Sequence, residues 1–195
     1  MLSDKLTNFP YQLILGSASP RRKQLIEGLG FLFSVFSIDA DESFPADLKR
    51  ENIPLFLAKK KADAYPNELR EQELLITSDT IVWCNDKVLN KPNDRDEAMK
   101  MLKELSGKMH EVYTAVHLRS SLKSESFYET SKVYFKDLAD EEIEYYIEKH
   151  EPFDKAGSYG VQDWMGYVGI EKIEGNFYTI MGLPTKMLYE KLMNF

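Results

Sequence analysis

The most suggestive chemistry sits at Gly16-Ser17-Ala18-Ser19-Pro20-Arg21-Arg22, where a short apolar run ends, small residues turn the chain, and a helix opens on two arginines. Free helix N-terminal N–H groups, the positive end of the macrodipole and two guanidinium groups together make an anion receptor. First turns usually carry acidic residues, because cations there oppose the dipole. Arg21 and Arg22 therefore suggest a compensating anion, although an ordinary solvated helix start has the same sequence. A serine-nucleophile reading is weaker: the second glycine of a nucleophile elbow is missing, and no histidine lies nearby in sequence. Asp79, in Thr77-Ser78-Asp79-Thr80, lies inside the nearly continuous apolar run Leu74 to Val82. A buried ionised carboxylate is costly unless it is paired or binds a cation. Asp79 thus either holds a metal, orients a water or caps a neighbouring loop.

Lys61 is the third candidate. At about 100° per residue it falls in the same helical stripe as Ile53, Leu57 and Ala64, so it must snorkel, meet a carboxylate or face a cleft. Lys59 and Lys60 point elsewhere and read as solvated. Glu42 belongs to an acidic loop that on its own reads as solvent-facing. Lys91 precedes a backbone-fixing proline, and Glu151 to Gln162 interleaves small residues with Asp154, Lys155, Tyr159 and Gln162. Such a loop suits close approach to a ligand, and the Gln162 amide offers a donor and an acceptor to a base edge. Cations and carboxylates distributed in this way suit a polyphosphate bound with a divalent metal. His110, His117 and His150 are scattered without cysteine partners, so no zinc spacing exists; a P-loop and a GxGxxG fingerprint are also missing.

The elements that must position these groups alternate. Tyr11 to Leu15 reads as a strand, the stretch from Ser19-Pro20 to about Leu29 as a helix, and Phe31 to Ile38 as a second strand. A helix from Ile53 to Tyr65, a buried strand from Leu74 to Val82 and a helix from Asp96 to Leu105 follow. Two antiparallel strands (His110 to Arg119, Glu125 to Phe135), a helix from Asp140 to Lys149, a hairpin over Val168 to Ile180 and a closing helix from Pro184 complete the chain. The pattern predicts α/β architecture with a mixed sheet and a ligand where loops leave the strand ends.

The 195 residues are 43% hydrophobic, and 25 basic against 32 acidic side chains give a net charge of −7. That balance disfavours duplex nucleic acid and anionic membranes as main partners, but not a small anion in a local basic pocket. The single cysteine, Cys84, permits no internal disulfide. With no secretory leader and no apolar run of the ~20 residues that cross a bilayer, the expected place is the cytoplasm.

Ser17 to Arg22, Ser78-Asp79-Thr80, Lys91-Pro92, Asp154-Lys155-Ala156-Gly157, Tyr159-Gly160-Val161-Gln162 and Gly182-Leu183-Pro184 stand in the order and spacing of the Maf family. From Leu13 to the C-terminus the chain resembles these nucleoside triphosphate pyrophosphatases. The resemblance implies one domain over 1–195, with a mixed twisted sheet in two lobes around a deep cleft, similar to inosine triphosphate pyrophosphatases. It also implies conversion of a nucleoside triphosphate to the monophosphate plus pyrophosphate with a divalent cation, Mg²⁺ or Mn²⁺. The family's catalytic aspartate falls on Asp79, as proton acceptor for the attacking water. Its base-selecting positions fall on Arg21, Thr80 and Gln162, a combination similar to the dTTP/UTP subgroup. Phosphate positions fall on Ser17, Arg22, Lys61, Lys91 and Lys155, and metal positions on Glu42 and Asp79. Homodimers are common in the family. The alternatives are the sister subgroup that prefers 7-methyl-GTP and a nucleotide-binding regulator of cell division without turnover. One departure touches the base pocket: Asp163 follows Gln162, where the family more often has glycine.

Overall fold

The computed structural model describes Leu6 and residues 8–195. It has α/β architecture, with seven strands in one open mixed sheet of order β2-β1-β3-β5-β6-β7 and β4 paired to β3. The strands are β1 (Gln12–Leu15), β2 (Phe33–Val35), β3 (Glu73–Cys84), β4 (Lys87–Leu89), β5 (Met109–Arg119), β6 (Ser124–Phe135) and β7 (Ile170–Glu174). The helices are α1 (Pro20–Leu29), α2 (Asn52–Asp63), α3 (Arg95–Leu105), α4 (Asp140–His150), α5 (Trp164–Val168), α6 (Phe177–Met181) and α7 (Thr185–Met193). Two compact units result: Met1–Asp79 with Thr114–Glu129 and Gly182–Phe195, and Thr80–Tyr113 with Thr130–Met181. Among the described residues, no helix is long and apolar enough to cross a membrane.

In the first unit, β1 pairs in parallel with both β2 and β3, placing Leu13 opposite Phe33 and Leu74. Leu13, Leu15, Leu74, Leu75 and Ile76 are buried, as expected of a central parallel pair whose apolar run shows no alternation. The Ser19-Pro20 start works as the sequence implies: Ser19 Oγ accepts from the Arg22 N–H at 3.4 Å, and Pro20 occupies the first turn. β2 is shorter than expected. It is an exposed edge, and after Val35 the chain turns Phe36 and Ile38 onto a cluster of Ile14, Ala62 and Leu75. α2 buries Ile53, Leu57, Ala58 and Ala62; it ends at Asp63, so Ala64 lies beyond the apolar stripe assigned to it.

In the second unit, Asn85 and Asp86 both have positive φ, 49° and 57°. This two-residue turn folds β4 back on β3, so that Val82 faces Leu89. The hairpin expected over Val168 to Ile180 does not form. β7 does pair antiparallel with β6, Val133 facing Ile173, but its other arm is the helix α6. Asn176 decides the outcome: its Oδ1 accepts from the Tyr178 N–H at 2.9 Å and its carbonyl from the Thr179 N–H at 3.2 Å, which starts a helical turn. Ser131 Oγ fastens the same residue, accepting from Asn176 N at 2.9 Å and donating to its carbonyl at 3.0 Å.

Candidate active site

α2 carries Lys61 to the middle of the first unit's charged cluster. The Lys61 ammonium lies 2.5 Å from Asp79 Oδ1 and 2.9 Å from Glu42 Oε1. Its side chain is only 13% exposed and that of Asp79 9%. Of the three fates open to a lysine in an apolar stripe, it meets carboxylates. The neighbouring position does the same work on the loop. Lys60 Nζ binds Asp41 Oδ2 and the Ser43 carbonyl, both at 2.8 Å, so Lys60 is not merely solvated. Asp41 and Glu42 are thereby tied to consecutive lysines of one helix. Lys60, then Ser43, holds the Asp41 carboxyl well below the usual carboxylate range.

Burial pushes the Asp79 carboxyl up, opposed by the charges of Lys61 and Arg22. A carboxylate made more basic than a surface aspartate is the better proton acceptor. Arg22 is half-buried and acts on Asp79 through its charge. Its Nε donates to the Gly182 carbonyl at 2.9 Å and its Nη1 to Ser17 Oγ at 3.4 Å. Ser78 Oγ donates to the same carbonyl at 3.3 Å. Gly182 has φ 111°, a conformation a side chain would strain, so the glycine of Gly182-Leu183-Pro184 is needed to aim that oxygen. Burial lowers the Arg22 pKa; Asp79 draws it back up, and the charge of Arg21 lowers it again. Two guanidinium groups and an ammonium thus share this unit with two carboxylates.

The second unit holds the remaining candidates. Thr80 is half-buried on β3, one residue past Asp79. Lys91 is exposed, and its loop is tied to the turn after Lys155 by the Gly157 N–H, which donates to the Asn90 carbonyl at 3.1 Å. Lys155 Nζ lies 2.7 Å from Asp154 Oδ1 and 3.7 Å from Asp163 Oδ2. Gln162 Nε2 donates to Asp163 Oδ1 at 3.1 Å, while its Oε1 is buried and has no hydrogen-bond partner. Asp163 in turn accepts from Tyr146 OH at 3.1 Å. Sequence reasoning missed this use of Tyr146, which has the same helical spacing as its core neighbours Ile143 and Ile147.

Among the described residues, no three His, Cys, Asp or Glu side chains come together as a metal cage. What the first unit offers a cation is two carboxylates, Glu42 and Asp79, both of which here meet the Lys61 ammonium. That hard, all-oxygen and incomplete donor set fits Mg²⁺, which takes one or two carboxylates and fills its shell with water and substrate phosphates. Two of the three histidines are otherwise engaged: His110 Nε2 lies 2.7 Å from Tyr159 OH, and His117 Nδ1 lies 2.6 Å from Ser126 Oγ.

Comparison with known proteins agrees with these motifs. The chain is 52% identical over 183 residues to a dTTP/UTP pyrophosphatase of Bacteroides thetaiotaomicron, covering 93% of this chain and 95% of that one. It is 45% identical over 192 residues to a dTTP/UTP pyrophosphatase of Flavobacterium johnsoniae, covering 98% of each. Among solved structures, the Staphylococcus aureus Ham1 protein matches with a TM-score of 0.42 and 12% identity over 66% of this chain and 72% of that one, a likeness too loose to carry an argument. The family model described as Maf-like protein matches residues 12–195, and the chain belongs to that family.

Proposed function

We propose that this protein hydrolyses dTTP and UTP at the α–β anhydride bond, giving the nucleoside monophosphate and pyrophosphate. The observation that carries the reading is the buried Asp79 held by Lys61, which also binds Glu42, within the field of the Arg22 charge. Relatives at about half identity that are named dTTP/UTP pyrophosphatases support it.

Lys61 takes Oδ1 of Asp79, which leaves Oδ2 to accept the proton of the attacking water. The water oxygen bonds to phosphorus, the anhydride bond breaks, and pyrophosphate leaves with the bonding pair. Arg22, Lys61, Lys91, Lys155 and the Ser17 hydroxyl hold phosphate oxygens and oppose the charge that builds on the leaving group. Glu42 and Asp79 would hold a divalent cation, which when bound supplies further charge neutralisation on the phosphates. Arg21, Thr80 and Gln162 select the base. The unpartnered Gln162 Oε1 is an acceptor suited to the N3–H of uracil and thymine.

The test is turnover of dTTP, UTP and 7-methyl-GTP with Mg²⁺, reading nucleoside monophosphate and pyrophosphate. Equal amounts of both products, formed fastest from dTTP and UTP, support the proposal. Faster release from 7-methyl-GTP moves the protein to the sister subgroup, and tight binding without either product makes it a nucleotide-dependent regulator.

A further inference from the structure

The hydrogen bond between Gln162 and Asp163 is chemically one-sided. An ionised carboxylate only accepts, so it can hold the NH₂ end of the Gln162 amide and repels the oxygen end. Gln162 Nε2 lies 3.1 Å from Asp163 Oδ1, and Oε1 is consequently the end turned away, buried and without a donor. Asp163 is itself held from several sides. Tyr146 OH donates to its Oδ2 at 3.1 Å and accepts from the Gly160 N–H at 3.0 Å. Lys155 Nζ stands 3.7 Å from the same carboxylate oxygen, and the Asp163 N–H closes the turn on the Gly160 carbonyl at 3.1 Å. Gly160 provides the space for both side chains: a Cβ there would lie 2.7 Å from Asp163 Cγ and 2.9 Å from Gln162 Nε2. All these groups belong to the second unit.

A fixed amide discriminates where a free one does not. A glutamine that can turn over presents either its oxygen to an N3–H or its NH₂ to a bare N3, and so serves uracil and cytosine alike. With Nε2 committed to Asp163, the buried and unpartnered oxygen is the amide end left to meet a base. Uracil and thymine carry a donor at N3, whereas cytosine carries an acceptor there and would set two lone pairs against each other. Resting on the reading of Gln162 as the base-facing residue, we propose that Asp163 is a positioning residue that engages the NH₂ end of the Gln162 amide and leaves only its oxygen for the base, and that this lock admits uracil and thymine nucleotides while rejecting cytosine nucleotides.

The experiment compares kcat/KM for dTTP and dCTP in the full chain with Mg²⁺. The variants are Asp163→Asn, Asp163→Glu, Tyr146→Phe and Gln162→Ala, each checked by thermal melting. Asparagine at 163 offers either end of its own amide, so the dTTP-to-dCTP ratio should fall at least about tenfold. Glutamate retains an acceptor-only group and should keep most of the ratio. Loss of both rates in Asp163→Asn with the ratio unchanged would overturn the proposal, because a merely structural residue lowers the two together. Should Asp163→Asn melt early, Tyr146→Phe reads the same quantity: a fall of roughly threefold supports the lock, and an unchanged ratio contradicts it. A Gln162→Ala variant with the wild-type ratio would instead remove Gln162 from base reading, and the lock with it. A Gln162→Ala variant that loses the ratio while Asp163→Asn retains it sinks the lock alone.

Discussion

Replacing Lys61 with methionine keeps most of the side chain's bulk and strands the carboxylate it holds. Lys61 Nζ lies 2.5 Å from Asp79 Oδ1, and both side chains are nearly buried. Breaking a buried pair by deleting one partner costs about 3–5 kcal/mol. The stranded group has an escape, however, because it can take up a proton. Each pH unit is worth about 1.4 kcal/mol, so from the ordinary aspartate value of 3.8 that escape limits the loss to about 4 kcal/mol at pH 7 and about 1.6 kcal/mol at pH 5. The sign follows from the proton balance. In the variant the folded Asp79 pKa rises further above its unfolded value, and the folded state binds more protons between the two. Stability then falls as pH rises through that window. Urea denaturation of wild type and Lys61→Met at pH 5 and pH 7 should show the smaller loss at pH 5. An equal loss at both pH values would refute a stranded charge and leave only lost packing.

His110 gives the opposite pH dependence. Burial lowers its pKa to about 3, so the unfolded state binds more protons between there and 6.5. The stability tied to its neutral form is complete above pH 6.5 and is lost on acidification, about 2 kcal/mol of it by pH 5. His110→Phe should weaken the fold by leaving Tyr159 OH without that partner, yet flatten the difference between urea titrations at pH 7 and pH 5 by about that amount. Gly157→Ala places a Cβ 2.9 Å from a Val82 methyl at a φ of 68°, both unfavourable. It should cost roughly 2 kcal/mol and lower Tm by about 4–8 °C, read by differential scanning calorimetry.

Legibility of the sequence followed the physics of each segment. The start of α1 was readable because Ser19-Pro20 marks it by local chemistry alone, and its end lay near the expected Leu29, where Gly30 takes up a positive φ of 81°. β3 was readable because a strand buried on both faces needs an unbroken apolar run. β4 was missed although Asn85-Asp86 carries a turn signal, since three residues offer too little pattern to register as a strand. The stretch after Gly175 misled because Phe177, Tyr178, Thr179 and Ile180 are strand-favouring types, and the Asn176 cap outweighs them. At the site, Asp79 and Lys61 stood out as charges in apolar surroundings, which one-dimensional periodicity detects. Their pairing with each other and with Glu42 depends on how α2, β3 and the acidic loop fold together, which no local pattern encodes. Tyr146 and Asp163 were hidden for a related reason, one reading as core and the other as an irregularity beside a motif.

Asp79 as the proton acceptor is tested most directly by Asp79→Asn, which preserves shape and removes both the base and its charge. With dTTP and Mg²⁺, the rate of pyrophosphate release from the folded variant should fall by at least ~100-fold, the scale of a positioned base. Release at the wild-type rate would contradict the account.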